Sequence, residues 1–265
     1  MLKVSQIFIY PIKSLAGIAL DESAVTERGL QYDRRWVLVD ESHYHITQRE
    51  FAEMALIDVK IGENGLILNH RTKDFGECLV SFEPKTADNQ LVGIWDDEVL
   101  AIRVADEVDA WFQQVLGIKC YLFYQPDVSI RPVDKKYAID NEHVNLADGY
   151  PILIAGEASI EDLSSKIGKE TDIRRFRPNI VFVGGEAFEE DNFKEFTING
   201  VVLHGVKNCA RCPIPNIDPD TAEISKETIK TLSSYRTRNN KVFFGQNVLV
   251  RTTGTIKVGD EIRIA

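Results

Sequence analysis

The sequence has few cysteines, no long apolar run and no recognisable targeting segment. No stretch of its 265 residues approaches the length of a transmembrane helix. The start, Met1–Tyr10, lacks the charge, apolar core and small-residue cleavage site of a signal peptide. Four cysteines without such a signal indicate a reducing compartment. We therefore expect a cytoplasmic protein with no membrane association.

Positive charge is scarce as well. The chain has 31 Lys and Arg residues against 41 Asp and Glu residues, which gives a net charge of −10. Such a chain is repelled by phosphate backbones and anionic lipids, so we expect neither nucleic-acid nor membrane-surface binding. It contains no internal repeat, low-complexity tract or Pro/Ser linker. Its hydrophobic fraction of 44% can fill one large domain or two ordinary ones.

Short β-prone runs dominate the chain. Many short strands with few helices predict a mainly β fold, a barrel or sandwich with helices packed at its ends. A last hairpin is expected to pair Thr255–Val258 with Glu261–Ile264 across Gly259 and Asp260. The other runs are Val4–Tyr10, Arg35–Asp40, Leu56–Ile61, Leu66–Leu68, Ile180–Val183, Phe196–Ile198, Val201–Leu203 and Asn247–Arg251.

Three segments have the pattern of helices. Asp106 is a candidate N-cap for the first, whose apolar face ends at Gly117. A second helix is expected from about Ser159, with Asp162 completing an approximate capping box. The third is expected over Ser225–Tyr235. A soft domain boundary is placed near Leu122, after the first helix.

The most informative motif lies near the C-terminus. Cys209 and Cys212 stand three residues apart with Arg211 between them, and a rigid acidic turn, 218–221, follows. A thiolate is a soft metal ligand and a nucleophile, and nearby positive charge makes it easier to form. This chemistry favours a single reactive or metal-bound thiolate.

Other uses of the cysteine pair stay open. A structural zinc site needs four ligands, and His204 could supply a third, but Cys78 and Cys120 are distant in sequence. A thioredoxin-like pair should open a helix after a strand. Here Pro213 and Pro215 follow, which favours an extended or turning segment.

Basic residues occur beside small donors or turn residues in four segments. These are Lys13-Ser14, Arg34-Arg35, the run 174–179 and Arg211. Arginine offers planar bidentate donors to phosphate or carboxylate, whereas lysine acts as a point charge. Each cluster taken singly is explained by a solvated surface or an acidic partner. Each also adjoins a strand end, where loops carry sites, so together they predict a pocket for a small polyanion beside a thiolate.

These motifs, in this order, resemble those of MOSC-domain proteins that carry the associated N-terminal β-barrel domain. That family includes the mitochondrial amidoxime reducing component and bacterial proteins that detoxify N-hydroxylated bases. The resemblance spans essentially the whole chain. The shared motifs are Lys13-Ser14, Asp33-Arg34-x-Trp36, Arg175-Phe176-Arg177-Pro178-Asn179, Cys209-x-Arg211-Cys212, Asp218-Pro219-Asp220-Thr221, Phe244-Gly245-Gln246 and 254–260.

The resemblance implies an N-terminal β-barrel domain over residues 1–121 and a β-rich MOSC domain over 122–265. Molybdenum cofactor is expected between them, with Cys212 as the molybdenum ligand and Cys209 without an assigned role. Asp148 is expected near the metal, to handle protons or to position substrate. The residues expected to hold the molybdopterin are Lys13, Ser14, Arg34, Gly149, Tyr150, Arg175, Arg177, Asn179, Ala210 and Arg211.

The implied function is reduction of N-hydroxylated small molecules by removal of oxygen from an N–O bond. The chain has no iron–sulfur cysteine pattern, so electrons are expected from a separate ferredoxin- or flavin-type donor protein. Pro215-Asn216 and Ala222 depart from the family pattern, and they leave substrate choice open. The alternative is a cofactor-binding module that carries sulfur as a cysteine persulfide, and a zinc-stabilised or metal-free scaffold is a third hypothesis.

Overall fold

The structure is a computed structural model that describes all residues, 1–265. Strands make up most of the regular structure, which confirms the predicted fold class. The strands are β1 (Leu2–Ile9), β2 (Ile18–Leu20), β3 (Glu22–Thr26), β4 (Gly29–Leu30), β5 (Trp36–Val39), β6 (Ile57–Ile61), β7 (Gly65–His70), β8 (Cys78–Ser81), β9 (Asn89–Ile94), β10 (Asp97–Arg103), β11 (Tyr121–Tyr124), β12 (Ile152–Gly156), β13 (Ile180–Val183), β14 (Glu195–Ile198), β15 (Val201–Ala210), β16 (Thr237–Arg238), β17 (Lys241–Val250), β18 (Gly254–Lys257) and β19 (Glu261–Ile264).

Three α-helices accompany the strands, and none of them is both long and apolar enough to cross a membrane. They are α1 (Asp106–Leu116), α2 (Glu157–Ile167) and α3 (Glu227–Arg236). Four short 3₁₀ turns lie at Ala52–Leu56, Ile173–Phe176, Glu189–Asn192 and Ile214–Asn216.

A closed barrel forms the centre of the second half of the chain. Seven strands pair in the order β12, β13, β1, β19, β14, β15 and β17, and pairing of β17 with β12 closes the ring. Only β12 and β13 are parallel. A core of 19 buried residues fills the barrel, including Ile7, Phe182, Phe196 and Val248. Because Ile7 belongs to β1, the barrel needs a strand from the start of the chain.

The first half of the chain has its own core beside this barrel. Strands β5 and β11, the sheet β6-β7-β8 and α1 pack around 20 buried residues, including Trp36, Leu68 and Phe112, while β9 and β10 contribute to a separate cluster of eight. Residues 1–30 instead contribute β1 to β4 to the closed barrel and its flank. The division of the chain at residue 122 stays a prediction.

The helix predictions are correct in position and need correction at their starts. Ala105 occupies the N-cap of α1, and Asp106 is the first helical residue, where its carboxylate pairs with Arg103 at 2.7 Å. Gly117 ends the helix with φ of 68°, as predicted. Helix α2 begins before Ser159, whose hydroxyl donates to Glu190 at 2.9 Å instead of capping a helix end.

The predicted last hairpin is wrong. Strand β18 pairs with β3, while β19 pairs with β1 and β14, so the two strands belong to different sheets. The connecting turn is held by the start of the chain, because the Val258 amide donates to Asp21 and the Gly259 amide donates to Val4. These long-range hydrogen bonds override the local hairpin signal.

A buried carboxyl lies against the closed barrel. Glu190 has no exposed surface, and it accepts a hydrogen bond from Ser159 at 2.9 Å, while its Oε1 has no partner. Burial raises the pKa of Glu190 to about 7, and the neighbouring charge of Asp191 acts in the same direction. The protonated form therefore fits the folded state.

Glu190→Gln should change the pH dependence of stability. A carboxyl whose pKa is raised on folding stabilises the native state below its unfolded pKa, and this contribution is lost as the pH rises through 7. We expect the variant and the wild type to unfold with similar free energies at pH 5. At pH 8 the variant should be more stable by roughly 2–3 kcal/mol in urea titrations. A difference that stays the same at both pH values would contradict this account.

Candidate functional site

A cavity of about 340 Å³ opens between the first half of the chain and the closed barrel. It collects 11 of the 12 site residues predicted from the sequence. Arg175 is the exception, since its guanidinium donates to the carboxylate of Asp218 and lies outside the lining. The predicted residues in the lining are Lys13, Ser14, Arg34, Asp148, Gly149, Tyr150, Arg177, Asn179, Ala210, Arg211 and Cys212.

The lining comes from segments that begin or follow strands. Lys13 and Ser14 follow β1, Arg34 precedes β5, and 148–150 precede β12. Residues 177–179 precede β13, and the cysteine pair lies at and just after the end of β15. The strand pairings that close the barrel thus bring distant loops to one place, as functional loops on a rigid scaffold require.

The cavity is rich in positive charge although the chain carries a net charge of −10. Its only carboxylate is Asp148. Like charges gathered at one site repel one another unless an anion is bound among them, so the lining suits a polyanionic ligand. The five cations of the lining are Lys13, Arg34, Arg177, Lys207 and Arg211.

Asp148 is held from two sides. Its Oδ1 accepts a hydrogen bond from the ammonium of Lys13 at 2.5 Å and another from Trp95 Nε1 at 3.2 Å. Its Oδ2 has no hydrogen-bond partner, and 66% of the side chain is exposed. Surrounding protein acts to raise the pKa of Asp148, but the Lys13 charge and the two hydrogen bonds outweigh this and hold the pKa below its usual range. Asp148 is therefore ionised at neutral pH.

Two arginines of the lining pack on one buried tyrosine. The guanidinium carbons of Arg34 and Arg177 lie 4.2 Å and 4.1 Å from the Tyr10 ring centre. Arg34 is neutralised by Asp33 through hydrogen bonds of 2.8 and 2.9 Å. Arg177 donates to the Leu15 carbonyl at 2.7 Å, but its Nη2 is buried without a partner. Burial and the nearby Arg34 lower the pKa of Arg177 to about 10, so it stays charged at neutral pH.

Several lining residues have a strained backbone. Ser14, Arg34, Trp95 and Arg177 have φ of 69°, 47°, 57° and 54°, in the left-handed region that favours glycine. Strain of about 1–3 kcal/mol per residue persists where surrounding structure imposes it, and such residues cluster at functional sites. The concentration of four in one cavity supports its assignment as the functional site.

The two cysteines of the motif have different surroundings. Arg211 Nη1 donates to the Cys209 sulfur at 3.1 Å, and its Nη2 donates to the Phe176 carbonyl at 2.8 Å. The Cys212 sulfur makes no hydrogen bond, and both cysteines line the cavity. No three His, Cys, Asp or Glu side chains are grouped so that they could hold a metal ion. Of these two cysteines, Cys212 is thus the one whose sulfur has no hydrogen-bond partner in the protein.

Some polar groups of the lining are fully hydrogen-bonded within the protein, and others are left to bond a ligand. Both amide atoms of Asn179 are used, since Nδ2 donates to the Phe8 carbonyl at 3.2 Å and Oδ1 accepts from the Leu153 amide at 3.1 Å. Asn179 therefore braces three barrel strands. The Ser14 hydroxyl has no protein partner, and a Cβ at Gly149 would meet nothing within 4 Å. Both leave room for a ligand.

Sequence reasoning missed three polar or aromatic lining residues, Trp95, Lys207 and Asn247. Lys207 and Asn247 face each other across β15 and β17. Lys207 stands two residues before Cys209, so strand alternation could have placed it on the same side. Trp95 lies between two strands of the first half, and no local pattern links it to the cavity.

Two kinds of comparison relate the chain to known proteins. A family model described as the MOSC N-terminal beta barrel domain matches residues 1–119, and one described as the MOSC domain matches 141–263. Mitochondrial amidoxime reducing component 2 of Rattus norvegicus is 33% identical, with 98% of this chain and 82% of the relative covered. Mitochondrial amidoxime-reducing component 1 of Homo sapiens is 31% identical with the same two coverages. Molybdenum cofactor sulfurase of Solanum lycopersicum is 27% identical over 98% of this chain and 35% of its own length.

The two matched domains and the mainly β fold define a MOSC-domain protein preceded by its N-terminal β-barrel. More particularly, the chain belongs to the family of the mitochondrial amidoxime reducing components, because the identity reaches 33% over nearly its whole length. The resemblance predicted from the sequence motifs is confirmed.

Alkylation should separate the four cysteines into two pairs. Cys78 and Cys120 are buried, and burial raises the pKa of each thiol to about 12. In native protein that carries no bound ligand, iodoacetamide at pH 8 should therefore modify Cys209 and Cys212 and reach the other two only in urea, because the thiolate is the nucleophile. Peptide mass spectrometry measures this, with Cys212→Ser as the control that loses one label. Equal labelling of Cys78 in the native protein would contradict the described burial.

Proposed function

We propose that the cavity binds molybdenum cofactor and that Cys212 is the protein ligand of the molybdenum. The observation that carries the proposal is the set of five cations facing one cavity beside a thiol without a protein partner. A group that carries a phosphate would pair with the cations, and a metal on the same group would bind the thiolate. The name of one relative, molybdenum cofactor sulfurase, refers to the same group.

The lining has donors for such a group. Arg177 Nη2 and Arg211 Nε are buried without hydrogen-bond partners, and unpaired buried donors cost free energy until an acceptor arrives. The Ser14 hydroxyl and the open space at Gly149 lie in the same lining. We assign Lys13, Ser14, Arg34, Arg177 and Arg211 to the phosphate and pterin, with 149–150 and Ala210 bordering them. Arg175 contributes indirectly, because it holds the acidic turn at Asp218.

The proposed reaction is reduction of an N-hydroxylated small molecule to the corresponding amine or amidine, with water as the other product. Bound molybdenum cofactor would supply the two-electron chemistry. The protein orients the cofactor, and Asp148 orients the substrate. Asp148 is held ionised, which favours a role in accepting a substrate N–H over a role as proton donor. Electrons come from a separate donor protein, of ferredoxin or flavin type.

The setting of the reaction is also part of the proposal. A cytoplasmic location follows from the sequence prediction, whereas the relatives with 33% and 31% identity are named as mitochondrial proteins. Detoxification of N-hydroxylated compounds is the proposed role. Cell fractionation that recovers the protein from mitochondria or a membrane fraction would overturn the location.

Molybdenum content tests the cofactor assignment. Protein made in a host that synthesises the cofactor should contain near-stoichiometric molybdenum by elemental analysis. Cys212→Ser should lose or loosen it and should abolish reduction of benzamidoxime, because the thiolate ligand is gone. Cys209→Ser is the matched control, and it should retain the metal. Wild-type rates in a loaded Cys212→Ser variant would sink the assignment of Cys212.

A second candidate function is sulfur transfer through a persulfide on Cys212. The observations in its favour are the free Cys212 sulfur and the related molybdenum cofactor sulfurase. The five cations argue against it, because a persulfide carrier has no evident use for a phosphate site. Intact-mass analysis decides between the two: one added sulfur on Cys212, in protein that contains no molybdenum, would favour the persulfide.

Asp148→Asn tests how the carboxylate acts. If Asp148 is a fixed anion that orients substrate, the variant should lower kcat/KM by roughly 10- to 150-fold, since a hydrogen bond to a charged group contributes roughly 1.5–3 kcal/mol. The shape of the pH–rate profile above pH 5 should not change, because the low pKa of Asp148 keeps it ionised throughout. Loss of an ionisation between pH 5 and pH 8 in the variant would instead assign proton transfer to Asp148.

A further inference from the structure

Trp95 occupies an unusual position in the fold. It is the first residue of the two-residue turn between β9 and β10, where Ile94 pairs with Asp97. Its φ of 57° favours glycine, and 37% of the residue is exposed. A tight turn gains nothing from a strained, exposed indole, so the residue is better explained by what it does in the cavity that it lines.

The indole is held by three neighbours. Its Nε1 donates to Asp148 Oδ1 at 3.2 Å. The guanidinium carbon of Arg49 lies 4.4 Å from the ring centre, within cation–π distance. The ring of His45 meets it edge-on at 4.9 Å. Burial and the nearby charge of Lys13 lower the pKa of His45 to about 4, so this neighbour is uncharged at neutral pH.

The Trp95 ring and the second carboxylate oxygen of Asp148 lie beside each other in the cavity lining. Arg49 packs on the Trp95 ring without belonging to the cavity lining, whereas Trp95 itself is one of the lining residues. Asp148 Oδ2 has no hydrogen-bond partner, because Lys13 and Trp95 both bond Oδ1. A flat molecule on the indole could therefore donate an N–H to Oδ2.

We infer that Trp95 is a specificity-determining residue that selects N-hydroxylated substrates with an aromatic ring attached to the N–H-bearing group. The ring of such a substrate stacks on the indole, and its amino group donates to Asp148 Oδ2. Small aliphatic substrates gain the hydrogen bond without the stacking. The inference rests on the proposed reductase function.

Benzamidoxime and acetamidoxime form a matched substrate pair, since they share the reacting group and differ only in the ring. Trp95→Leu keeps an apolar side chain but removes the ring, so the ratio of kcat/KM for benzamidoxime over acetamidoxime should fall three- to tenfold. Trp95→Phe keeps a ring and loses the N–H donor, so most of the ratio should remain. Leu91→Ala, an exposed change in β9, controls for disturbance of the hairpin and should leave the ratio unchanged.

A binding measurement separates this inference from the reductase proposal. Benzamidine, a flat cation without an N–O bond, should bind the wild type more tightly than acetamidine in calorimetry, and Trp95→Leu should remove the difference. Thermal melting shows that each variant is folded. An unchanged substrate ratio, together with an unchanged benzamidine preference in Trp95→Leu, would overturn the role of Trp95. Failure of the cofactor-loaded wild type to reduce either amidoxime would instead overturn the proposed reaction. The preference for benzamidine over acetamidine would still test the role of Trp95.

Discussion

Mutual repulsion among the cations of the cavity is the constraint that the surrounding structure is built to meet. Four of the five cations are each fixed by a separate hydrogen-bond partner: Asp148 for Lys13, Asp33 for Arg34, a backbone carbonyl for Arg177 and another for Arg211. Some donors are still left without acceptors. The strained backbone at several of these positions adds to the cost. The concentration of these costs in one cavity supports the proposed anionic ligand.

Both halves of the chain contribute to this arrangement. Lys13, Arg34 and Trp95 come from the first half, and they meet the 148–150 segment and the cysteine motif of the second. The acidic turn strengthens the junction, because Asp220 pairs with Arg174 at 2.6 Å and with Arg71 of the first half at 3.1 Å. Relative movement of the two halves would therefore change the charges that face the cavity as well as its volume.

Local sequence patterns predicted ten of the 19 strands and the three helices, and the motifs shared with the family named 11 of the 20 residues that line the cavity. They succeeded because each motif lies in a loop whose neighbouring strand has a clear apolar pattern. They failed where distant residues decide. The sequence around Gly259 and Asp260 predicts a hairpin. In the structure, the carbonyls of Asp21 and Val4 accept hydrogen bonds from this turn, and its two strands belong to different sheets. Arg175 carries a family motif, but a carboxylate 43 residues away, Asp218, takes its guanidinium. Trp95 reaches the cavity only through tertiary packing, which places its turn beside Asp148.

The position of β1 has a consequence for the order of events during synthesis. This strand lies between β13 and β19, so Leu2 pairs with Ile262. The ribosome must release Glu261 and Ile262 before that pairing can form, while the core around Trp36 and Phe112 needs only residues from the first half. Lys13 and Ser14 lie between Ile12 and Leu15, which belong to that first-half core, and barrel closure then brings the 148–150 segment and the cysteine motif beside them. The cavity is therefore complete only after β19 has left the ribosome and paired with β1.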